Sequence, residues 1–201
     1  MSSNELTADL LTTESPLERH VPGETGVWVF ILGDMVVFAL FFGVFSYYRG
    51  LTPDVFSASQ ATLNANYGLI NTFLLLTSSW FVVMGMNAAK RHLQSSAAGL
   101  FGMAFLCGAG FSAIKVIEYS EKIGAGIYPV TNDFYMYYYI LTGLHFVHVI
   151  IGMVVMLFMV YRGWRGLSTG RDLAFLEGGA SYWHMVDLLW IVLFPLIYLM
   201  K

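Results

Sequence analysis

Charged residues are scarce in this 201-residue chain: they make up 11% of it, against 57% hydrophobic residues. Soluble domains carry about a quarter charged residues, so the composition excludes an ordinary soluble domain. The net charge of −3 comes without a basic run, which argues against nucleic acid as a partner. The single cysteine, Cys107, excludes an internal disulfide framework and any metal site built on a CxxC pair.

Long apolar stretches are what the chain has in abundance. A bilayer core of about 30 Å needs about 20 apolar residues in a helix. Five stretches reach that length: residues 26–48, 67–88, 97–117, 134–161 and 180–200. The segments between them carry turn residues, and the one from Gly163 to Gly179 is predicted to be a loop. The sequence therefore predicts an all-α membrane protein, with a five-transmembrane-helix bundle formed by residues 26–200.

The distribution of basic residues predicts an orientation in a bacterial-type inner membrane. We expect residues 1–25 to be a polar tail, because they lack the features of a secretory signal. Cytoplasmic segments are enriched in Lys and Arg, and the side of this tail holds six of them against three. The six are Arg19, Lys90, Arg91, Arg162, Arg165 and Arg171; the three are Arg49, Lys122 and Lys201. The predicted N-terminus is cytoplasmic and the C-terminus is periplasmic.

Aromatic residues gather near the predicted helix ends. Tyr48, Tyr135, Tyr138 and Trp164 are examples. Tyr and Trp are enriched at membrane interfaces, so these residues are predicted to act as interface anchors.

Few ionisable residues fall within the predicted spans, and each one there costs about 2.5–3.5 kcal/mol on insertion scales. At a rise of about 1.5 Å per residue, five of them fall between the inner half of the membrane and its middle. We predict that these five form one buried polar network joining the first, fourth and fifth spans; they are Asp34, His145, His148, His184 and Asp187. Lys115 and Glu118 lie nearer the outer surface, and we predict a local ion pair with the lysine snorkelling.

The residues alone leave four interpretations of the network open. A bis-histidine haem would use His148 and His184, as in a b-type cytochrome. A metal site would draw on the three histidines and Asp187, although no HExxH or similar pattern is present. A proton relay, as in a small transporter, would also use carboxylates and histidines. The fourth interpretation is a hydrogen-bonded network that holds the helices together.

Four short motifs lie in order on the last four predicted spans. Residues 71–79 read NTFLLLTSS, 115–119 KVIEY, 142–152 TGLHFVHVIIG and 182–190 YWHMVDLLW. The last two are similar to the TG-x-H-x-x-H-V-x-x-G and YWHFVD-x-x-W signatures of subunit III of haem–copper oxidases. Over residues 26–200 the chain resembles this cytochrome c oxidase subunit III family, in a five-helix form without the first two helices of longer members.

The resemblance implies a non-catalytic accessory subunit of a respiratory haem–copper terminal oxidase, either a cytochrome c or a quinol oxidase. Haem and copper are then expected in the partner, catalytic subunit I, and not in this chain. The implied roles are to support proton uptake and the stability of subunit I during aerobic electron transport. Membrane lipids are further expected partners. This resemblance favours the structural interpretation of the polar network.

Asp34 marks a departure from the family pattern. Many oxidase members carry a glutamate at this place, whereas residues 33–42 here read GDMVVFALFF. Together with PGETG at residues 22–26, this is similar to the branch associated with nitric oxide reductases. The alternative function is therefore an accessory subunit whose catalytic partner reduces nitric oxide.

Overall fold

The structure, a computed structural model, describes residues 25–165 and 170–200. The helices found there are α1 (Thr25–Leu51), α2 (Pro53–Gln60), α3 (Ala65–Lys90), α4 (Gln94–Gly124), α5 (Asp133–Arg165) and α6 (Gly170–Phe194). All of them except α2 are long and apolar enough to cross a membrane. The predicted five-helix membrane bundle is therefore confirmed. Apart from Thr25, the predicted polar tail lies outside the described residues.

The last helix begins ten residues earlier than predicted, at Gly170 rather than Ala180. The prediction of a loop over residues 163–179 was therefore wrong for most of that segment; residues 166–169 are not described. Leu176 is completely buried, and Glu177 is buried beside it. These side chains anchor an extra helical segment against the bundle, and that packing outweighs the glycine content that suggested a turn.

A short helix, α2, lies where only a turn was predicted. Pro53 is in its first turn, where the missing N–H of proline leaves no hydrogen bond unmade. Phe56 is buried, and its ring meets Phe45 of α1 at 5.4 Å and Phe134 of α5 at 5.6 Å between centroids. The helix therefore closes one end of the space between α1 and α5.

Four helices, α3 to α6, surround the core in order, so that α6 packs against both α5 and α3. The first helix lies outside this ring, against α5 and α6. Of the five spans, α6 is the most enclosed and α1 the least. Side chains of α6 therefore carry most of the polar contacts between helices.

Two glycines allow the helices to approach closely. An added Cβ on Gly152 of α5 would lie 2.7 Å from the ring of Trp183, and one on Gly85 of α3 would lie 2.7 Å from Phe101. Both rings are almost completely buried. Small residues at such crossings let helix backbones pack tightly in a membrane.

The tyrosines at the start of α5 are core residues as well as residues near an interface. Tyr135 and Tyr138 are buried among other side chains of the bundle, whereas Trp164 at the far end of α5 is exposed. The prediction of an interface anchor was therefore wrong for Tyr135 and Tyr138. Periodicity along α5 places them on its inward face, which position near a helix end alone does not show.

Candidate functional site: polar groups buried between the helices

Asp34 of α1 lies against His148 of α5. Oδ2 of the aspartate is 3.2 Å from Nε2 of the histidine. The other ring nitrogen, Nδ1, is 2.8 Å from the carbonyl oxygen of Leu144, one turn earlier in α5. The edge of the Phe38 ring covers the histidine from the α1 side. This contact joins the peripheral helix to the four-helix ring.

A carbonyl oxygen only accepts, so Nδ1 of His148 carries a proton and donates to Leu144. The Asp34 oxygen that faces Nε2 is enclosed and makes no hydrogen bond within the described residues, so the two side chains meet as a close contact between helices.

His145 makes a separate contact. Its Nε2 donates to the carbonyl oxygen of Val186 in α6, at 3.0 Å. Its ring contacts those of Phe111 and Trp190, at 5.7 and 5.2 Å between centroids, and these two rings also contact each other at 4.9 Å. The side chain is completely enclosed. This histidine therefore links α5 to the backbone of α6, and its ring packs against two aromatic side chains.

A third contact joins α6 to α3. Nδ1 of His184 lies 2.5 Å from the hydroxyl oxygen of Ser79. Asp187, three residues further along α6, is buried. One carboxyl oxygen of Asp187, Oδ1, is enclosed and has no hydrogen-bond partner within the described residues.

The five residues of the predicted network thus do not form one network. The structure brings Asp34 to His148 and His184 to Ser79. The hydrogen bond of His145 is to backbone, and Asp187 lies one turn from His184. Tyr182 of α6 adds a link, because its hydroxyl donates to the carbonyl oxygen of His148 at 3.2 Å.

Lys115 and Glu118 form the most enclosed ionic group of the described residues. The Nζ atom of Lys115 is 2.9 Å from Glu118, and both side chains are almost completely buried. The sequence suggested that the lysine snorkels to the surface. That prediction was wrong, because Lys115 is completely buried. Tyr198 explains the difference: its hydroxyl accepts from Lys115 at 2.8 Å and donates to Glu118 at 2.6 Å. The three groups satisfy one another, which burial of charge requires.

The sequence did not predict that Tyr198 belongs to this ionic group. The feature that could have indicated an unusual turn there is Pro195. Proline has no N–H to donate to the preceding turn, and α6 continues after it as a π-helical turn over Pro195–Leu199. Met200 donates to the carbonyl oxygen of Pro195, five residues back, at 2.9 Å. The wider turn sets the direction of Tyr198, and π turns are frequent at functional positions.

Two tryptophans of α6 fix its position against α3. Nε1 of Trp183 donates to Ser78 at 3.0 Å, and Nε1 of Trp190 donates to Thr72 at 3.0 Å. These indole rings are almost completely buried, so each N–H needs such an acceptor. The motif at residues 71–79 and the motif at residues 182–190 are therefore in direct contact.

Ion pairs at one end of the bundle hold the added first turns of α6. Glu177 lies 3.0 Å from Lys90 at the end of α3, and Asp172 pairs with Arg162 at the end of α5. Both carboxylates are buried, while both basic partners are exposed. Because three helices meet there, the pairs define a charged boundary for this end of the membrane domain.

Within residues 25–165 and 170–200, the geometry offers no group of three or more His, Cys, Asp or Glu side chains placed to hold a metal ion. Both nitrogens of His148 are engaged, and so are Nε2 of His145 and Nδ1 of His184. The histidines act here as links between helices. The contacts of His145 and His184 lie between the same helices, α3, α5 and α6, that carry the sequence motifs.

The sequence profile of the family described as cytochrome c oxidase subunit III matches residues 20–201, which is most of the chain. The chain belongs to the cytochrome c oxidase subunit III family. With five spanning helices, this subunit III family member is a multi-pass protein of a bacterial membrane.

Several named relatives are similar over most of their own length. Subunit 3 of the cytochrome bo(3) ubiquinol oxidase of Pseudomonas aeruginosa is 30% identical over 87% of this chain and 83% of its own. Cytochrome c oxidase subunit 3 of Alkalihalophilus pseudofirmus is 32% identical over 87% of this chain and 85% of its own. The haem–copper oxidase subunit I+III of Aeropyrum pernix is 27% identical over 87% of this chain but only 22% of its own length. The present chain thus matches only one part of that longer protein.

Proposed function

We propose that this chain is a non-catalytic accessory subunit, subunit III, of a haem–copper terminal oxidase of aerobic electron transport. The observation that carries the proposal is the family match over residues 20–201. The contacts of the motif residues support it, because Trp183, Trp190 and His145 are each enclosed in the bundle and hold two helices together. Relatives from both cytochrome c and ubiquinol oxidases are similar to this chain, so the electron donor is left open.

The partner in this proposal is the catalytic subunit I. Support comes from the Aeropyrum pernix relative, whose name joins subunits I and III in one chain. Two subunits that are fused in one organism lie close together in the complex that they form. Haem and copper are assigned to subunit I, while His145 and His148 of this chain make contacts within its own bundle.

The proposed role toward subunit I is to stabilise it and to sustain its proton uptake. The pair of Asp34 and His148 supports a role near protons, because it places a carboxyl group beside an imidazole between α1 and α5. The enclosed contacts around Trp183 and Lys115 support a role as a rigid scaffold. Membrane lipids would cover the remaining apolar surface.

The proposed location is a bacterial inner membrane, with the N-terminus in the cytoplasm and the C-terminus outside. The support is the ratio of basic residues, six to three, on the two sides of the spans. Lys90 and Arg162, which pair with the start of α6, belong to the richer side.

The alternative functions receive less support. The relatives named above are oxidase subunits, so they do not support a nitric oxide reductase partner. A b-type cytochrome or an independent transporter is likewise unsupported by the family match. Only Asp34 in GDMVVFALFF still points toward the reductase-associated branch.

The test is a mild-detergent pull-down of the tagged chain from its native membrane, followed by a visible spectrum and assays of oxygen and nitric oxide consumption. We expect a larger haem subunit to come down with the chain and oxygen to be consumed. Consumption of nitric oxide alone would favour the reductase alternative. A colourless chain recovered alone from a membrane rich in terminal oxidase would overturn the proposal.

A further inference from the structure

Two polar side chains, Ser79 and His184, lie at the outer edge of the bundle where α3 meets α6. Each is only half-buried. His184 follows Glu177 by seven residues, and Glu177 pairs with Lys90 at the charged end of the bundle. At about 1.5 Å per residue, His184 lies about 10 Å deeper than that ion pair. It is therefore within the hydrocarbon part of a bilayer about 30 Å thick.

One nitrogen of the His184 ring is left for an outside partner. Ser79 occupies Nδ1. Nε2 has no hydrogen-bond partner among the described residues, and it is not one of the enclosed atoms. Lipid tails offer neither a hydrogen-bond donor nor an acceptor, so exposure of Nε2 to lipid would be costly.

Trp80, the residue after Ser79, is a second and independent indication that this surface meets protein rather than lipid. Trp80 of α3 is 60% exposed and has an outward-facing ring. It lies ten residues from Lys90, which places it about 15 Å deep, close to the middle of the bilayer. Tryptophan facing lipid prefers the membrane interfaces, whereas tryptophan at a protein interface is a common centre of binding energy.

The outward sides of α4 and α5 differ at the same depth. Ser78 bonds to Ala104 and His145 bonds to Val186, so Leu106 of α4 and Val147 of α5 lie within about one helical turn of Ser79 and His184 in depth. Leu106 and Val147 are aliphatic and exposed, as expected of surfaces that face lipid. The outward surface that carries the two polar residues is here called the α3/α6 face. It consists of Ser79, Trp80, Val83, His184, Leu188 and Ile191.

We propose that the α3/α6 face is the surface on which the haem-bearing catalytic subunit docks. One of its transmembrane helices presents a polar group that hydrogen-bonds to Nε2 of His184, and Trp80 packs against the same helix. This inference rests on the proposed function, since it assigns a place to the partner named there. A polar partner helix removes the cost of the unpaired nitrogen and accounts for a tryptophan at mid-depth, which lipid does not.

The first test is site-specific photo-crosslinking in intact native membranes. A photoreactive residue replaces Trp80 or Leu188 on the face, or Leu106 or Val147 as matched controls on α4 and α5. We expect crosslinks to the haem-bearing subunit from the first two positions and to lipid from the other two. Crosslinks to that subunit from the controls alone would overturn the proposal. Crosslinks only to lipid from all four positions would do the same.

The second test compares His184→Gln with His184→Leu in the whole complex. Glutamine keeps an acceptor oxygen and leucine does not, so the recovered haem per tagged chain should fall about tenfold only for leucine. The amount of chain in the membrane shows whether each variant folds. Equal haem recovery from both folded variants would contradict the role of His184.

These outcomes separate this inference from the proposed function. If the unaltered chain brings down no haem-bearing subunit, the proposed function fails. If it brings down that subunit but the α3/α6 face does not crosslink to it, only the docking surface is wrong.

Discussion

Asp34 and His148 lie 3.2 Å apart across the boundary between α1 and α5, with Nδ1 of the histidine already donating to Leu144. This arrangement ties the least enclosed span to the rest of the bundle.

The buried ion pair predicts a strong asymmetry between single and double substitutions. Lys115→Leu leaves Glu118 as an uncompensated buried charge, so the free energy of unfolding should fall by about 3–5 kcal/mol. Replacing Glu118 by Leu as well removes that charge, and the loss should become much smaller. Unfolding of the purified chain in mixed detergent micelles measures both. A double variant as unstable as Lys115→Leu would show that the charge is not the cause.

The π-helical turn predicts coupling between Pro195 and Tyr198. Tyr198→Phe removes hydrogen bonds to Lys115 and Glu118, and we expect a loss of about 1.5–3 kcal/mol. Pro195→Ala permits a regular α-helix, which would turn Tyr198 away from Lys115. The double variant should then lose less than the sum of the two single losses. Strict additivity in the same unfolding assay would rule out the coupling.

Two glycines of α5 predict opposite responses to alanine. A Cβ at Gly152 would lie 2.7 Å from the enclosed ring of Trp183, whereas a Cβ at Gly143 meets nothing within 4 Å. Gly152→Ala should therefore cost about 1–3 kcal/mol of stability. Gly143→Ala should be neutral or slightly stabilising, because alanine favours the helix. Thermal unfolding in detergent measures both, and equal effects would contradict the close approach.

The position of the last helix shows where sequence reasoning failed. Gly178 and Gly179 suggested a loop, yet both lie inside α6. A Cβ on Gly179 would lie 2.9 Å from Met159 and from Val155 of α5. These glycines serve a close approach between helices rather than a turn. Glycine alone does not distinguish the two, because the difference lies in the neighbour that it meets.

Tyr198 shows a second limit. The separation of three residues between Lys115 and Glu118 predicts that they share a helix face, but their third partner is 80 residues from Glu118 along the chain. Nothing local to Tyr198 marks it as part of an ionic group. Its place follows from the packing of α6 and from the π turn that begins at Pro195.

The sequence by itself determined the five spans of this protein and, through its motifs, the family to which it belongs. Spans can be predicted because hydrophobicity adds up locally over about 20 residues. Only the tertiary structure decided which polar groups meet: Asp34 with His148, Ser79 with His184, and Tyr198 with Lys115 and Glu118. Those pairings depend on the rotation of each helix about its axis and on its depth against its neighbours. Both are set by the packing of large side chains such as Trp183 against Gly152, and no local stretch of sequence contains that information.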